Sequence, residues 1–450
     1  MHRRHFLGGA ATAGVALASG FPRAALAATP DQVARWFPKP IGWAAGTAGG
    51  RGGLVIKVTT LASDGPGSFR EALAAKGPRI IVFEVGGIID LDRKMLKVEE
   101  PFVTIAGQTA PSPGITFIKG GMDITTHNVI VSHVRFRVGE AGQAKGSGWN
   151  EDAISTLSAW NVVVDHCSLS WATDENLSAS GPRFTGETPD EWRKGTSHDL
   201  TYSNNIIAES LSWSTHDKLE HSKGSLIHDN ITGLLIVGNL YAHNYERNAL
   251  FKGGVHAVMA NNFIYNPGQR AVHYNLQGNE WGDNPFQTGK IAAVGNVLRM
   301  GPSTPDQLAF FELGGDGDVE YHGQDNIAVD RIGRPLPQLG RYTTSEARII
   351  EAKKPPVWPD GFTAVKAVKV EATVLRNAGA RPWDRDYNDV RVLADVAEGR
   401  GWIIDSESQV HGYPSSAPTA RPFDPAQWDM ETLTPLDPAA LDAGAKAKGT

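Results

Sequence analysis

Cysteine is almost missing from this chain. Among 450 residues only Cys167 carries a thiol, so no disulfide can close within the molecule. Charge of one sign is equally scarce: 43 Lys and Arg against 49 Asp and Glu leave a net −6, with no basic stripe and no long charge run. That balance speaks against a nucleic-acid partner, whose phosphates call for a concentrated cationic surface. Long hydrophobic runs are lacking too. The apolar stretch after Phe6 ends near Leu17 and Ala18 and is too short to anchor the chain across a bilayer. Its flanks explain it. His2-Arg3-Arg4-His5 precedes it and Ala25-Leu26-Ala27 follows, so residues 1–28 read as a twin-arginine signal with a small-residue cleavage site. The expected location is periplasmic or secreted, without attachment to a membrane once the signal is removed.

What the chain has is repetition. Asn161-Val-Val-Val-Asp-His-Cys-Ser-Leu, Asp199-Leu-Thr-Tyr-Ser-Asn-Asn-Ile-Ile, Leu234-Leu-Ile-Val-Gly-Asn-Leu-Tyr, His256-Ala-Val-Met-Ala-Asn-Asn-Phe and Lys290-Ile-Ala-Ala-Val-Gly-Asn-Val-Leu are one phrase. Each is a β-rich run, a polar kink and a second apolar pair. The kink positions Val134, Cys167, Asn205, Asn239, Asn262, Asn296 and Asn326 lie 23 to 38 residues apart. The shortest interval is close to one turn of a parallel β-helix, and the longer ones fit a turn plus a loop. Recurrence of this kind marks a solenoid. Asn suits the bend because it tolerates left-handed backbone angles, and stacked Asn side chains can bond in a ladder. A β-sandwich would not place one phrase in register so many times. The expected fold is all-β, a right-handed parallel β-helix, with Asn205, Asn239, Asn262 and Asn296 near one corner.

The chain divides at about 28 and 334. Residues 29–334 form the β-helix. Within them, Ser68 to Ala75 reads as a short amphipathic helix, with Ser68 as N-cap and Glu71 completing a capping box; it would cover the open end of the solenoid. Residues 139–150 and 180–198 read as projecting loops, where solenoids often build a binding face. Residues 335–450 are a C-terminal extension, expected to pack partly on the β-helix, with a helix and then extended chain across 375–413. Cys167, at a kink, reads as a buried structural thiol.

Several segments carry a family resemblance. Val163-Val-Asp-His-Cys-Ser-Leu-Ser, His221-Ser-Lys-Gly-Ser-Leu-Ile, Asn239-Leu-Tyr-Ala-His-Asn-Tyr-Glu-Arg-Asn-Ala with the coil after it, and Ile80-Ile-Val-Phe-Glu-Val-Gly-Gly together with Thr104-Ile-Ala-Gly-Gln-Thr resemble segments of the pectate lyases, polysaccharide lyase family 1. The resemblance runs from about Gly42 to Ile332 and is densest between Asp152 and Tyr265. It implies calcium-assisted β-elimination on pectate or a related polyuronate by a secreted enzyme, acting as a monomer on an acidic polysaccharide.

The chemistry required is specific. Cleaving a polyuronate without water means removing the proton beside a carboxylate, and positive charge on that carboxylate stabilises the carbanion. Ca²⁺ takes oxygen ligands, so clustered acids are needed. The resemblance places Asp152 and Asp174 in the metal set, with Glu175 beside them. It makes Arg247 the base and Lys223 the holder of the substrate carboxylate, and His221 and Lys252 are expected to contact substrate. Arginine is an awkward base, with a pKa above about 12; nearby positive charge would favour its neutral form. The pattern departs from the family at Lys252, where a second Arg is common and only a point charge is offered, and at Ala249 and Leu250. Two other classes stay open: another β-helix carbohydrate-active enzyme, acting as a lyase on a different acidic polysaccharide or as a glycoside hydrolase using Asp152, Asp174 and Glu175; or a non-catalytic sugar-binding β-helix.

Overall fold

The computed structural model describes residues 35–37, 39–437 and 446–447. The signal read at 1–28 lies outside them, as does nearly all of 440–450. Among the described residues no helix is long and apolar enough to cross a membrane.

Three parallel sheets run the length of the molecule. The first has eleven strands, from Leu54–Val58 to Ile349–Glu351, and the second has nine, from Leu96–Val98 to Leu339–Arg341. The third has eleven, and its last two, Thr419–Ala420 and Lys446–Ala447, join antiparallel. Each coil gives one strand to each sheet, as Ile154–Leu157, Trp160–Asp165 and Ser168–Ser170 show. The coils wind right-handed, the hand parallel crossovers take. Register stacks like on like: Val129, Val162, Leu200 and Leu234 form one interior row, and Val131, Val164, Tyr202 and Ile236 the next. All eight are fully buried. At roughly 1.5–3 kcal/mol for each large apolar side chain removed from water, such rows supply the driving force for the stack.

The bend between the first and third sheets divides its work between two residues. In each coil the first residue of the bend takes a left-handed φ: 57° at His133, 48° at His166, 53° at Asn204, 70° at Gly238, 56° at Asn261, 67° at Gly295 and 54° at Asp325. The ladder position follows it. The left-handed angle expected of Asn205, Asn239, Asn262 and Asn296 therefore belongs to their predecessors, which are Asn, His, Asp or Gly, the types that bear it at least cost. The ladder Asn serves its amide instead. Asn205 Oδ1 accepts from the Cys167 amide at 2.8 Å, Asn239 Oδ1 from Asn205 at 2.8 Å, Asn262 Oδ1 from Asn239 at 3.0 Å, and so on to Asn326. Each Nδ2 reaches both the next Oδ1 and a main-chain carbonyl, so the amide is satisfied on every side. Cys167 ends the Asn run, fully buried, its thiol pushed up to about 12 by burial.

The N-terminal helix, Phe69–Ala74, starts at Ser68, whose side chain accepts from the Glu71 amide. Glu71 returns its bond to the Gly67 amide rather than to Ser68. Phe69 sits between Phe83 and Phe117, closing the end of the core. The stretch 180–198 holds a helix, Pro189–Gly195, capped by Thr188 and Glu191. Its Trp192 packs on Phe184 and Trp281.

Parallel pairing continues past 334, through Leu339–Arg341 and Ile349–Glu351. The chain then turns back along the outside of the solenoid. Two helices, Val370–Asn377 and Tyr387–Glu398, where one was expected, lay Val370, Val374, Val392 and Val396 on Ile206, Leu240 and Phe263 of the third sheet. Arg137, fully buried, binds Asp386 at 3.2 Å and Asp389 at 2.6 Å. Arg135, also fully buried, lies 3.5 Å from Asp389. Further on, Thr419–Ala420 pairs with Val85 and Gly86 of the first coils, and Phe423, Trp428 and Leu433 cover Ile80 and Val82.

Candidate functional site

Leaving the third sheet, each coil passes through a loop before entering the second, and these loops stack as the strands do. Asp152 closes one, Asp174 and Glu175 lie in the next, His216, His221 and Lys223 in the third, and Glu246 and Arg247 in the fourth. Glu175, Lys223 and Glu246 pair as successive parallel bridges, so three coils present one charged row. Neighbouring rungs of such a row are about 4.8 Å apart.

The acidic end of the row is compact. Asp152, Asp174 and Glu175 bring ligand oxygens within 4.8 Å of one another. Asp152 Oδ1 accepts from the Glu175 amide at 2.8 Å. Burial, then the charges of Glu175 and Asp174, drive Asp152 well above the ordinary carboxylate range. Glu175 is raised as well, by burial against the pull of Arg247. Glu151 is pushed up to about 7 by burial and by Asp123 and Asp174. Three carboxylates this close must either take up protons or accept a cation, and an all-oxygen donor set fits a hard one such as Ca²⁺. Three carboxylates supply part of the six to eight oxygens Ca²⁺ takes, leaving positions for water or a ligand.

The basic end is paired throughout. Arg247 binds Glu175. Its partner comes from another coil, brought to it by the stacking of loops. Burial would lower the Arg247 pKa, but Glu175, Glu246 and Asp174 outweigh it and hold the guanidinium charged. Arg247 has φ 59°, a conformation costly for a residue with a Cβ and often found at working sites. Lys223 Nζ donates to Glu246 Oε1 at 2.5 Å and is lowered by burial. His221 Nε2 meets Asp174 Oδ1 at 2.6 Å, and burial depresses its pKa to about 2. Lys252 Nζ reaches Gln277 Oε1 at 2.8 Å and also binds Glu280.

Asp174, Glu175, His221, Arg247 and Lys252 line one groove of about 500 Å³. Lys223 stands behind it, joined through Glu246, and Asp152 behind Glu175. Arg270 and Glu246 are among the groove residues to which the sequence reading gave no part in binding. Arg270 binds the second oxygen of Glu246 and lies 4.4 Å over the Tyr342 ring. Glu246 thus holds two cations, and although burial would raise its pKa, His273, Lys223 and Arg270 lower it strongly. Arg270 falls 23 residues after Arg247, the same step as from Asn239 to Asn262. Repeat spacing alone could have found it. Of the tryptophans near the site in sequence, Trp171 is buried with Nε1 on Glu209, and Trp213 is half exposed.

No profile of a known protein family matches the chain. Individual proteins do. Over 415 residues, 90% of this chain and 89% of the relative, it is 32% identical to a protein of Aspergillus flavus named probable pectate lyase C. The chain belongs to the pectate lyase family. A protein of Aspergillus terreus with the same name is 34% identical over 288 residues, 64% of this chain. The match spans 58% of that relative's length and 57% of its Emericella nidulans counterpart. Among solved structures, the major cedar-pollen allergen Jun a 1 superposes with a TM-score of 0.51 at 17% identity, over 76% of this chain and 92% of its own. That likeness is one of fold, the parallel β-helix. The family resemblance read between Gly42 and Ile332 thus extends to most of the chain.

Proposed function

We propose that the groove cleaves pectate, or a related polyuronate, by β-elimination. The observation that carries the reading is the row itself: a carboxylate cluster fit for Ca²⁺, with a buried Lys and a half-buried Arg stacked on the following coils. A substrate uronate brings its own carboxylate to this row. Asp152, Asp174 and Glu175 would hold Ca²⁺, which supplies positive charge to the substrate carboxylate and so acidifies the neighbouring C–H. Arg270, which lines the groove, would add donors to the same anion, with Lys223 behind it on the shared Glu246; Lys252 and His221 line the groove as well.

Arg247 takes the proton. The C–H pair becomes the new C=C bond, and the glycosidic C–O bond at the next carbon breaks, its oxygen leaving with a proton from water. To act so, Arg247 must first lose its own proton, and Glu175 opposes that by holding it charged. The base role therefore requires that Glu175 turn its charge to a cation, freeing the guanidinium beside positive neighbours that favour its neutral form. Export through the twin-arginine route and action as a single chain belong to the same proposal.

Incubation with a panel of acidic polysaccharides tests it. Ultraviolet-absorbing unsaturated ends are expected from polygalacturonate. New reducing ends without that absorbance would indicate a hydrolase, and tight binding without cleavage a sugar-binding β-helix.

A further inference from the structure

Arg183 comes from the stretch 180–198, one of those where a binding face was expected. Its Nη2 donates to Glu280 Oε2 at 2.7 Å and its Nη1 to the Glu280 carbonyl at 3.2 Å. Lys252 Nζ binds the same carboxylate oxygen. Through Nε, Arg183 also donates to Asp229 Oδ2 at 3.0 Å. Asp229 is fully buried, and its other oxygen accepts from the Gly253 amide at 2.9 Å and from Trp281 Nε1 at 2.8 Å. The buried Trp281 thereby fixes the short helix Gly278–Trp281, which carries Glu280 to the groove wall.

Charge is balanced at this end of the groove. Lys252 and Arg183 are met by Glu280 and Asp229, two cations by two acids. His228, beside Arg183, is lowered by burial and adds no charge at neutral pH. Near Arg247 the pairing differs, because one acid, Glu246, binds both Lys223 and Arg270. The Lys252 end therefore lacks the surplus positive charge that draws a uronate carboxylate. What it offers is hydrogen bonding: Asn275 and Gln277 line the wall with Lys252 and Glu280. Both cations use Glu280 Oε2, and among the described residues nothing donates to Oε1. That oxygen can accept a sugar hydroxyl, and it repels a carboxylate placed beside it. Esterifying the uronate removes the repulsion.

We propose that Glu280 sets the specificity of a subsite at this end of the groove. It neutralises Lys252, so the subsite holds a sugar by its hydroxyls and does not require a free carboxylate. The ligand class rests on the polyuronate reading; the charge balance does not.

Calorimetric binding of a hexagalacturonate and of its methyl ester to the full chain, with Ca²⁺ present, tests this. Every other subsite is common to the chains compared, so a change in the acid-to-ester affinity ratio reports this one. Glu280→Gln keeps the shape and leaves Lys252 uncompensated. The ratio should rise about fivefold, the upper range for one ion pair near a surface. The rise should vanish in ~1 M salt, where the Debye length is about 3 Å. Lys252→Met alone should lower the ratio. Combined with Glu280→Gln it should restore the natural value, which a merely structural role for Glu280 would not do. An unchanged ratio in Glu280→Gln, or a rise that survives Lys252→Met, overturns the proposal. Should Glu280→Gln not fold, an unchanged ratio in Lys252→Met overturns it equally. Unsaturated ends formed from the hexamer with an unmoved ratio remove the subsite and leave the elimination standing. The predicted shifts without unsaturated ends do the reverse, and failure to bind either hexamer removes both.

Discussion

Two bends of one coil treat polar side chains in opposite ways. Asn239 and Arg247 are separated by the three-residue strand Leu240–Ala242 and the start of one loop. At Asn239 every amide atom has its partner, the group is neutral, and the residue before it, Gly238, bears the left-handed angle without a Cβ. At Arg247 the residue itself bears a left-handed angle, and its charge is matched to an acid that burial pushes toward neutrality. The first bend is built to hold still. The second keeps charges in an arrangement that a ligand can improve, which is what separates a working site from a structural one.

Substituting the central residue of each bend should therefore move different observables. Arg247→Lys keeps the charge and loses the planar fork. Turnover on polygalacturonate should fall by at least ~10²-fold, the scale of a lost proton-transfer group, with the unfolding midpoint nearly unchanged. Near-normal turnover would leave the elimination without a base. The buried Arg135 and Arg137 with Asp386 and Asp389 are a third case, charges fully matched and far from the groove. Asp389→Ala leaves Asp386 alone to face two buried guanidinium groups and should cost up to about 3–5 kcal/mol in chemical unfolding, loosening the C-terminal segment. An unchanged midpoint would mean that the segment is not clamped there.

Asn239→Ala breaks the ladder between Asn205 and Asn262, leaving buried donors and acceptors without partners at about 1–3 kcal/mol each. A loss of about 3 kcal/mol with turnover per folded molecule preserved is expected; loss of turnover at full stability would erase the contrast between the bends. The smallest effect concerns protons. Glu151, raised to about 7, holds a proton near neutrality that a cation must displace, and Asp152 is raised in the same direction by burial and by Glu175 and Asp174. Apparent Ca²⁺ affinity should thus fall as pH falls through 7, by about tenfold per pH unit for each proton released. Calorimetry in weak buffer checks it, and a flat profile would contradict the raised carboxylates.

Much of this was legible in the sequence, and the losses have physical causes. The ladder could be read because Asn205, Asn239, Asn262 and Asn296 recur in a fixed phrase. Which residue of the bend turns left-handed could not, because Asn204 and Asn261 precede ladder Asn and make the two positions look alike. The strands past 334 lack the phrase, so their pairing showed only in three dimensions. The clasp of the C-terminal segment depends on contacts such as Arg137 with Asp389, 252 residues apart, which no local pattern encodes. In the groove, residue types suggested the chemistry, but partnership came from stacking: Glu175 with Arg247 and Glu246 with Lys223 are neighbours only across coils.

The most direct test of the account is the rate of formation of unsaturated ends from polygalacturonate as Ca²⁺ is removed and returned. The cluster of Asp152, Asp174 and Glu175 predicts that a chelator stops the absorbance increase and that added Ca²⁺ restores it in full. An undiminished rate in chelator would contradict the account.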